Sequence, residues 1–184
     1  MRVLVISSSP NEDGLTAACA AAAIDGVRRA GGTADEVRLN DLGVGMCAAC
    51  NNGWGTCLER HECQVLDGFQ ELHERVRGAD ALVLVTPVYW GEWSESAKAF
   101  TDRLRRCEAT RGDESGLAGK PVIAVAAAGG SGGGTITCLL SMENWIHHVR
   151  ARKFDLIPIT RWTRPYKLDT IRAAARVMVG LRDE

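Results

Sequence analysis

The sequence predicts a doubly wound α/β fold: a five-stranded parallel sheet in order 2-1-3-4-5, covered by helices on both faces as a three-layer sandwich. Three observations carry this expectation. Short β-branched apolar runs alternate with longer amphipathic stretches along the 184 residues. The runs are continuously apolar, as strands buried on both faces must be. Each run is followed by one helical stretch, and strand–helix alternation with right-handed crossovers leaves a doubly wound open sheet.

Each element has its own reason. Val3-Leu4-Val5-Ile6 is a buried strand that stops at Ser7-Ser8-Ser9-Pro10. Residues 14–30 read as an Ala-rich helix ended by Gly31-Gly32. Residues 34–39 alternate like a strand, and 40–66 show no clear periodicity. Asp67 can cap a helix to about Arg77, and Ala81 to Val85 is the next buried strand, closed by Thr86-Pro87. Residues 95–107 are helical, with Ala97, Phe100, Leu104 and Cys107 at helical spacing. Residues 121–127 form a strand that runs into Gly129-Gly130-Ser131-Gly132-Gly133-Gly134. A helix over 135–150, a strand over 154–160 and a helix over 168–181 complete the chain, read as one domain over 1–184. The stretch 40–66 exceeds an ordinary connection, which marks it as functional or as a subunit contact.

Composition bounds the function. The chain has 22 Lys+Arg, 23 Asp+Glu and a net charge of −1, which argues against nucleic-acid binding through a basic surface. No apolar run is long enough for a membrane span, and the apolar stretch after Arg2 is too short for a signal peptide. The expectation is a cytoplasmic protein. Its seven cysteines are then thiols, ligands or redox groups rather than structural bridges.

In such a sheet a ligand sits beyond the carboxyl ends of the strands. Three loops meet there. Ser7 to Thr16 joins a strand to a helix start, where hydroxyls and free N–H groups make an anion site. It has neither the Gly-Lys-Ser/Thr of a triphosphate loop nor a dinucleotide fingerprint, so a monophosphate fits best. An ordinary Ser/Pro turn is the bland alternative. Thr86 to Ser94 carries Tyr89, Trp90 and Trp93, a stacking surface for a flat ligand or a subunit contact. The glycines of 129–134 would let backbone approach a flat ring, or form a flexible loop with no contact.

These loops carry a resemblance. The chain resembles the NADPH-dependent FMN reductase-like family, of flavodoxin-like fold, including its iron–sulfur flavoprotein branch. Ser8-Ser9-Pro10-Asn11-Glu12-Asp13-Gly14-Leu15-Thr16 matches the family's G-S-P-R-x-x-G-N-T, and Thr86-Pro87-Val88-Tyr89-Trp90-Gly91-Glu92 its S-P-V-Y-F-G-S. Lys98-Ala99-Phe100-Thr101-Asp102-Arg103 is similar to K-A-F-x-D-R, and Gly129 to Gly134 matches a glycine-rich segment. The resemblance implies FMN as cofactor and NAD(P)H as co-substrate. Ser9, Asn11 and Thr16 would hold the phosphate. Pro87, Val88, Tyr89, Trp90 and Gly91 would line the isoalloxazine, with Gly129, Gly130 and Gly132 on its other side. Asn11 stands where the family has Arg, and Leu15 where it has Asn; the first removes a charge that would pair with phosphate.

Cys47, Cys50, Cys57 and Cys63 read C-x2-C-x6-C-x5-C. A [4Fe-4S] cluster, a zinc site and free thiols or a redox dithiol compete. The iron–sulfur branch usually reads C-x2-C-x2-C-x4–7-C, and Gly53 occupies the third position, so the metal-free reading leads. Cys19, Cys107 and Cys138 read as packing residues on helices, His61 as a lone surface histidine, and His147-His148 as no ligand pair.

The expected function is an FMN-dependent NAD(P)H oxidoreductase passing electrons to a small acceptor: a quinone, a flavin, an azo or nitro compound, or a disulfide. No catalytic acid or base is assigned, because the flavin carries the chemistry; Tyr89, Trp90 and Trp93 would shape the substrate face. The alternative is an iron–sulfur flavoprotein-type electron carrier with the cluster at Cys47–Cys63. A strongly acidic flavodoxin-type carrier is disfavoured by the net charge, and a regulatory module without turnover is the third reading. Relatives lead us to expect a homodimer or homotetramer, with Trp54, Trp90 and Trp93 on the covered surfaces.

Overall fold

A computed structural model describes residues 1–180 of the chain; the last residue of the expected final helix, Leu181, lies outside them. Five parallel strands, β1 (Arg2–Ser7), β2 (Thr33–Arg38), β3 (Ala81–Pro87), β4 (Pro121–Ala128) and β5 (Arg152–Thr160), form one sheet in order β2-β1-β3-β4-β5. This is the flavodoxin-like arrangement.

The period-2 alternation of the strands divides the core in two. Val3, Val5, Val83, Val85, Ile123 and Val125 face α1 (Leu15–Arg29) and α6 (Arg164–Gly180). Leu4, Ile6, Leu82, Leu84, Val122 and Ala124 face the other layer, α3 (Phe69–Gly78), α4 (Glu95–Glu108) and α5 (Thr135–His148). Strands buried on both faces explain why these runs have no polar alternation.

The stretch after β2 is less irregular than its composition implies. It holds two short 3-10 turns, at Leu39–Asp41 and Asn51–Gly53, and a single helical turn, α2 (Thr56–Glu59). Asp67 does anchor the next helix start, accepting from the Phe69 N–H at 2.9 Å. The last helix begins at Arg164 rather than at 168, with Pro165 in its first turn, where a fixed φ and a missing N–H do no harm. No helix among the described residues is long and apolar enough to cross a membrane.

Candidate functional site

The carboxyl ends of β1, β3 and β4 bring three loops together, and specific bonds tie them into one cup. The Ser8 N–H donates to the Val85 carbonyl at 3.1 Å. The Ser94 hydroxyl caps α4, taking the Ala97 N–H at 3.4 Å, and donates to the Ser8 carbonyl at 3.0 Å. The Ser94 N–H donates to Thr86 Oγ1 at 3.0 Å, and the Val88 N–H to the Ala127 carbonyl at 3.0 Å. Each loop is therefore fixed to its neighbour by groups that are buried, Val88 alone being half-buried.

The first loop presents an unfilled helix start. Gly14 caps α1 with no side-chain hydrogen bond, and the first turn holds no acid. Its opening N–H groups keep their donor capacity, at the positive end of the helix dipole. Ser9 and Thr16 are buried at the base of this start and Asn11 is exposed. Ser9 Oγ accepts the Asn11 N–H at 3.2 Å, which folds the loop back and leaves the hydroxyl proton free to donate. Hydroxyls and uncapped N–H groups are the donor set that a phosphate monoester needs.

The second loop turns sharply. Tyr89 and Glu92 exchange both backbone hydrogen bonds, at 3.0 and 2.9 Å, around Trp90 (φ 53°) and Gly91 (φ 80°). Two positive φ values make this a type I′ turn, unfavourable for a bulky residue. It holds Trp90 fully in solvent, with Tyr89 partly exposed and Pro87 and Val88 half-buried beneath. Trp93 is the exception among the expected aromatics. It is buried, packs edge-to-face on Trp145 at 6.0 Å, and donates to Ser141 Oγ at 3.1 Å. It therefore shapes neither a substrate face nor a subunit contact; a residue next to a helix cap follows the helix into the core.

The third loop meets the second at glycine. A Cβ on Gly134 would stand 2.7 Å from the Gly91 Cα, so only glycine allows this contact. Gly132 rests on the Trp162 ring, whereas Gly129 and Gly130 face open space above β4. A glycine-rich backbone joined to the turn that carries an exposed aromatic, with an uncapped helix start in the neighbouring loop, offers the elements that a flat ring carrying a monophosphate needs. FMN fits this cup.

A second site lies at the edge of α4. Cys47, Cys50, Cys57 and Cys63 all line one small cavity of about 20 Å³, partly open to solvent, together with Arg103 and Arg106. Ala49, Asn51 and Asn52 all take positive φ (44°, 46° and 61°), which coils the backbone tightly behind Cys50. Cys107 also lines this cavity. It is a buried packing residue, as expected, but not only that. Burial pushes its thiol up to about 12, with Cys63 and Cys57 adding to the shift. Cys19 and Cys138 are likewise buried, their thiols raised to about 12 chiefly by burial. His61 is half-buried and pairs with Thr110 Oγ1 at 3.0 Å, and His147 and His148 are exposed at the end of α5.

Arg103 holds the cysteine segment. Its Nη1 donates to Asp67 at 2.6 Å and to the Gly45 carbonyl at 3.0 Å, and its Nη2 to the Val65 carbonyl at 2.9 Å. Burial works against its charge, but Asp67 and Cys63 outweigh that and raise its pKa. Its Nε is the buried side-chain polar atom left without a partner among the described residues. Among those residues no three His, Cys, Asp or Glu side chains stand close enough for a single metal ion. A zinc ion draws thiolates to about 2.3 Å. A four-iron cluster holds its thiolates further apart, and Cys47, Cys50, Cys57 and Cys63 are the residues that would hold one.

Sequence reasoning missed Arg103 as the strut of the cysteine segment. The cue was available: an arginine among the apolar positions of α4, in register with Phe100, Leu104 and Cys107.

Comparison with known proteins agrees with the fold. An iron-sulfur flavoprotein of Methanosarcina thermophila is 29% identical over 80% of this chain and 73% of its own length. One from Methanocaldococcus jannaschii is 30% identical over 57% of this chain and spans about half of that protein, 52%. An NAD(P)H:quinone oxidoreductase from Methanothermobacter marburgensis superposes with a TM-score of 0.71 at 19% identity, over 100% of this chain and 98% of that one. The family model for NADPH-dependent FMN reductase matches residues 1–153, from the phosphate loop through the glycine wall and beyond α5, and the chain belongs to that family.

Proposed function

We propose that the protein is an FMN-dependent oxidoreductase that draws electrons from NAD(P)H and passes them to a small acceptor: a quinone, a flavin, an azo or nitro compound, or a disulfide. One observation carries this reading: the loops after β1, β3 and β4, with an uncapped helix start, the exposed Trp90 and a glycine-rich run, are tied to one another by the Ser8–Val85 and Ser94–Ser8 hydrogen bonds and the Gly91–Gly134 contact. Bound FMN supplies the hydride and electron chemistry, and the chain supplies position and access. Ser9, Thr16 and the first N–H groups of α1 would bind the phosphate. Pro87, Val88 and the turn at Trp90–Gly91 would line one side of the ring, with Gly129, Gly130 and Gly132 on the other. Tyr89 and Trp90 would stack on a flat acceptor. The similarity to a quinone oxidoreductase favours a quinone among the acceptors. The test is anaerobic reduction of the FMN-loaded protein by NADPH or NADH, followed by addition of each acceptor class. Loss of the visible flavin band and its return on addition of acceptor supports the reading; a band that neither nicotinamide bleaches contradicts it.

A second reading adds electron transfer through a [4Fe-4S] cluster held by Cys47, Cys50, Cys57 and Cys63. The shared cavity favours it, as do the iron-sulfur flavoprotein relatives. Gly53 at the usual third position makes Cys57 the substitute ligand. Iron and sulfide analysis of anaerobically purified protein decides between this cluster and free thiols. We also infer a homodimer or homotetramer, since Trp54, Trp90, Ile136 and Leu140 are exposed apolar groups; light scattering checks it.

A further inference from the structure

We propose that Arg164, at the start of α6, supplies the cation that the loop after β1 lacks for the cofactor phosphate. The proposal rests on the FMN reading above. The loop itself contains Asn11, Glu12 and Asp13, two acids and no base. Arg38 answers Glu12 at 3.1 Å but is also engaged by Asp41 at 3.6 Å, and is consumed there. A phosphate monoester brings a charge of about −1.5 to −2, and backbone donors with a helix dipole offset only part of it. A further positive group has to come from another element.

The packing of α1 against α6 places one. The two helices run side by side in the same direction, pinned where Arg172 Nε donates to Asp25 at 2.6 Å. At the same level the missing side chain of Gly26 admits the Arg172 carbonyl, which a Cβ would approach to 2.3 Å. Counting back eight residues from Arg172 reaches Arg164, about 12 Å along the axis at 1.5 Å per residue. The same count from Gly26 reaches Ala18, so Arg164 lies level with the first turns of α1. The phosphate loop is then roughly one further turn along the axis, about 5 Å, and the Arg164 side chain must also span the gap to α1, whose axis lies about 8–10 Å from that of a packed neighbour. Arg164 also shares the helical stripe of Leu168, Ile171, Arg172 and Ala175, the stripe that meets α1 and the core beneath it.

Its surroundings leave this cation unused. Arg164 is exposed and enters no ion pair or side-chain hydrogen bond among the described residues. Arg161 is drawn instead onto the Trp162 ring at 4.5 Å. The first turn of α6 contains no acid, so Arg164 sits against the positive end of its own helix dipole. A local rule broken without internal compensation is characteristic of functional or strained sites. Proximity to α1 is visible in a second way: the Arg164 charge partly opposes the burial that raises the Cys19 thiol.

The test compares two flavins that differ only in the phosphate. FMN and riboflavin are titrated into the flavin-free full-length protein, with fluorescence quenching as the readout. Wild type should prefer FMN. Arg164→Gln should weaken FMN about tenfold or more, the scale of a charge-assisted contact, and leave riboflavin unchanged. Arg176→Gln, at the far end of α6, should alter neither. Asn11→Arg added to Arg164→Gln should restore the preference for FMN, which also shows that the variant is folded. If Arg164→Gln leaves the FMN-to-riboflavin ratio at its wild-type value, the proposal is overturned while the FMN reading stands. If wild type binds neither flavin, the FMN reading fails and this proposal with it.

Discussion

Gly91 and Gly134 meet backbone to backbone, so close that a Cβ on Gly134 would stand 2.7 Å from the Gly91 Cα. This contact joins the turn after β3 to the loop after β4, and both residues take positive φ, 80° and 78°. Gly134→Ala therefore adds backbone strain and a clash. It should destabilise the protein by about 2 kcal/mol and lower FMN affinity more than this loss of stability explains, as read by thermal melting and flavin titration. A melt and an affinity both equal to wild type would show that the loops do not depend on this contact.

Trp90 is the opposite case, held in solvent by a turn that bulky residues avoid. Trp90→Gly fits the I′ turn better, so stability should stay within about 0.5 kcal/mol of wild type or rise. The KM for a flat aromatic acceptor should increase. Steady-state kinetics with a quinone checks this, and an unchanged KM would remove Trp90 from the substrate face.

Glu108 and His73 form a buried pair at 2.5 Å on the layer opposite α1. Burial pushes the Glu108 carboxyl up, but His73, the Gly116 N–H and the Ser115 hydroxyl outweigh it and hold the carboxyl at about 2. A depressed carboxylate stabilises the fold above its unfolded value, about 4.3, and that contribution fades as pH falls toward about 2. Glu108→Ala should cost about 3 kcal/mol near neutral pH, with the difference from wild type shrinking across that acid window. Urea unfolding at several pH values measures it; a pH-independent difference would assign the loss to packing.

Arg103 ties Gly45, Val65 and Asp67 across the cysteine segment. Arg103→Leu should leave the sheet intact and loosen that segment, so the thiols of Cys47, Cys50, Cys57 and Cys63 should react faster with a disulfide reagent. Labelling resolved by peptide mapping reads the change. Equal rates in wild type and variant would mean that Arg103 only fills space.

The strands were legible because burial on both faces demands continuous apolar runs, as in Val3 to Ile6 and Ala81 to Val85. The position of the loop after β1 was legible because its hydroxyls sit between a strand and a helix start. What stayed hidden depended on partners distant in the chain. Trp93 reads as a loop aromatic until Trp145 and Ser141 are placed beside it. Cys107 reads as a core residue until Cys57 and Cys63 reach the same cavity. The first turn of α6 was obscured by Arg164-Pro165, although proline in a first helical turn is favourable. The missing cation at Asn11 was visible in the sequence.

The most direct test of the account is a calorimetric titration of FMN into the flavin-free protein. The cup built by Ser9, Thr16, Trp90, Gly91 and Gly134 predicts saturation at about one FMN per chain, with an affinity tight enough to survive gel filtration. A protein that stays colourless after incubation with excess FMN would contradict the central claim.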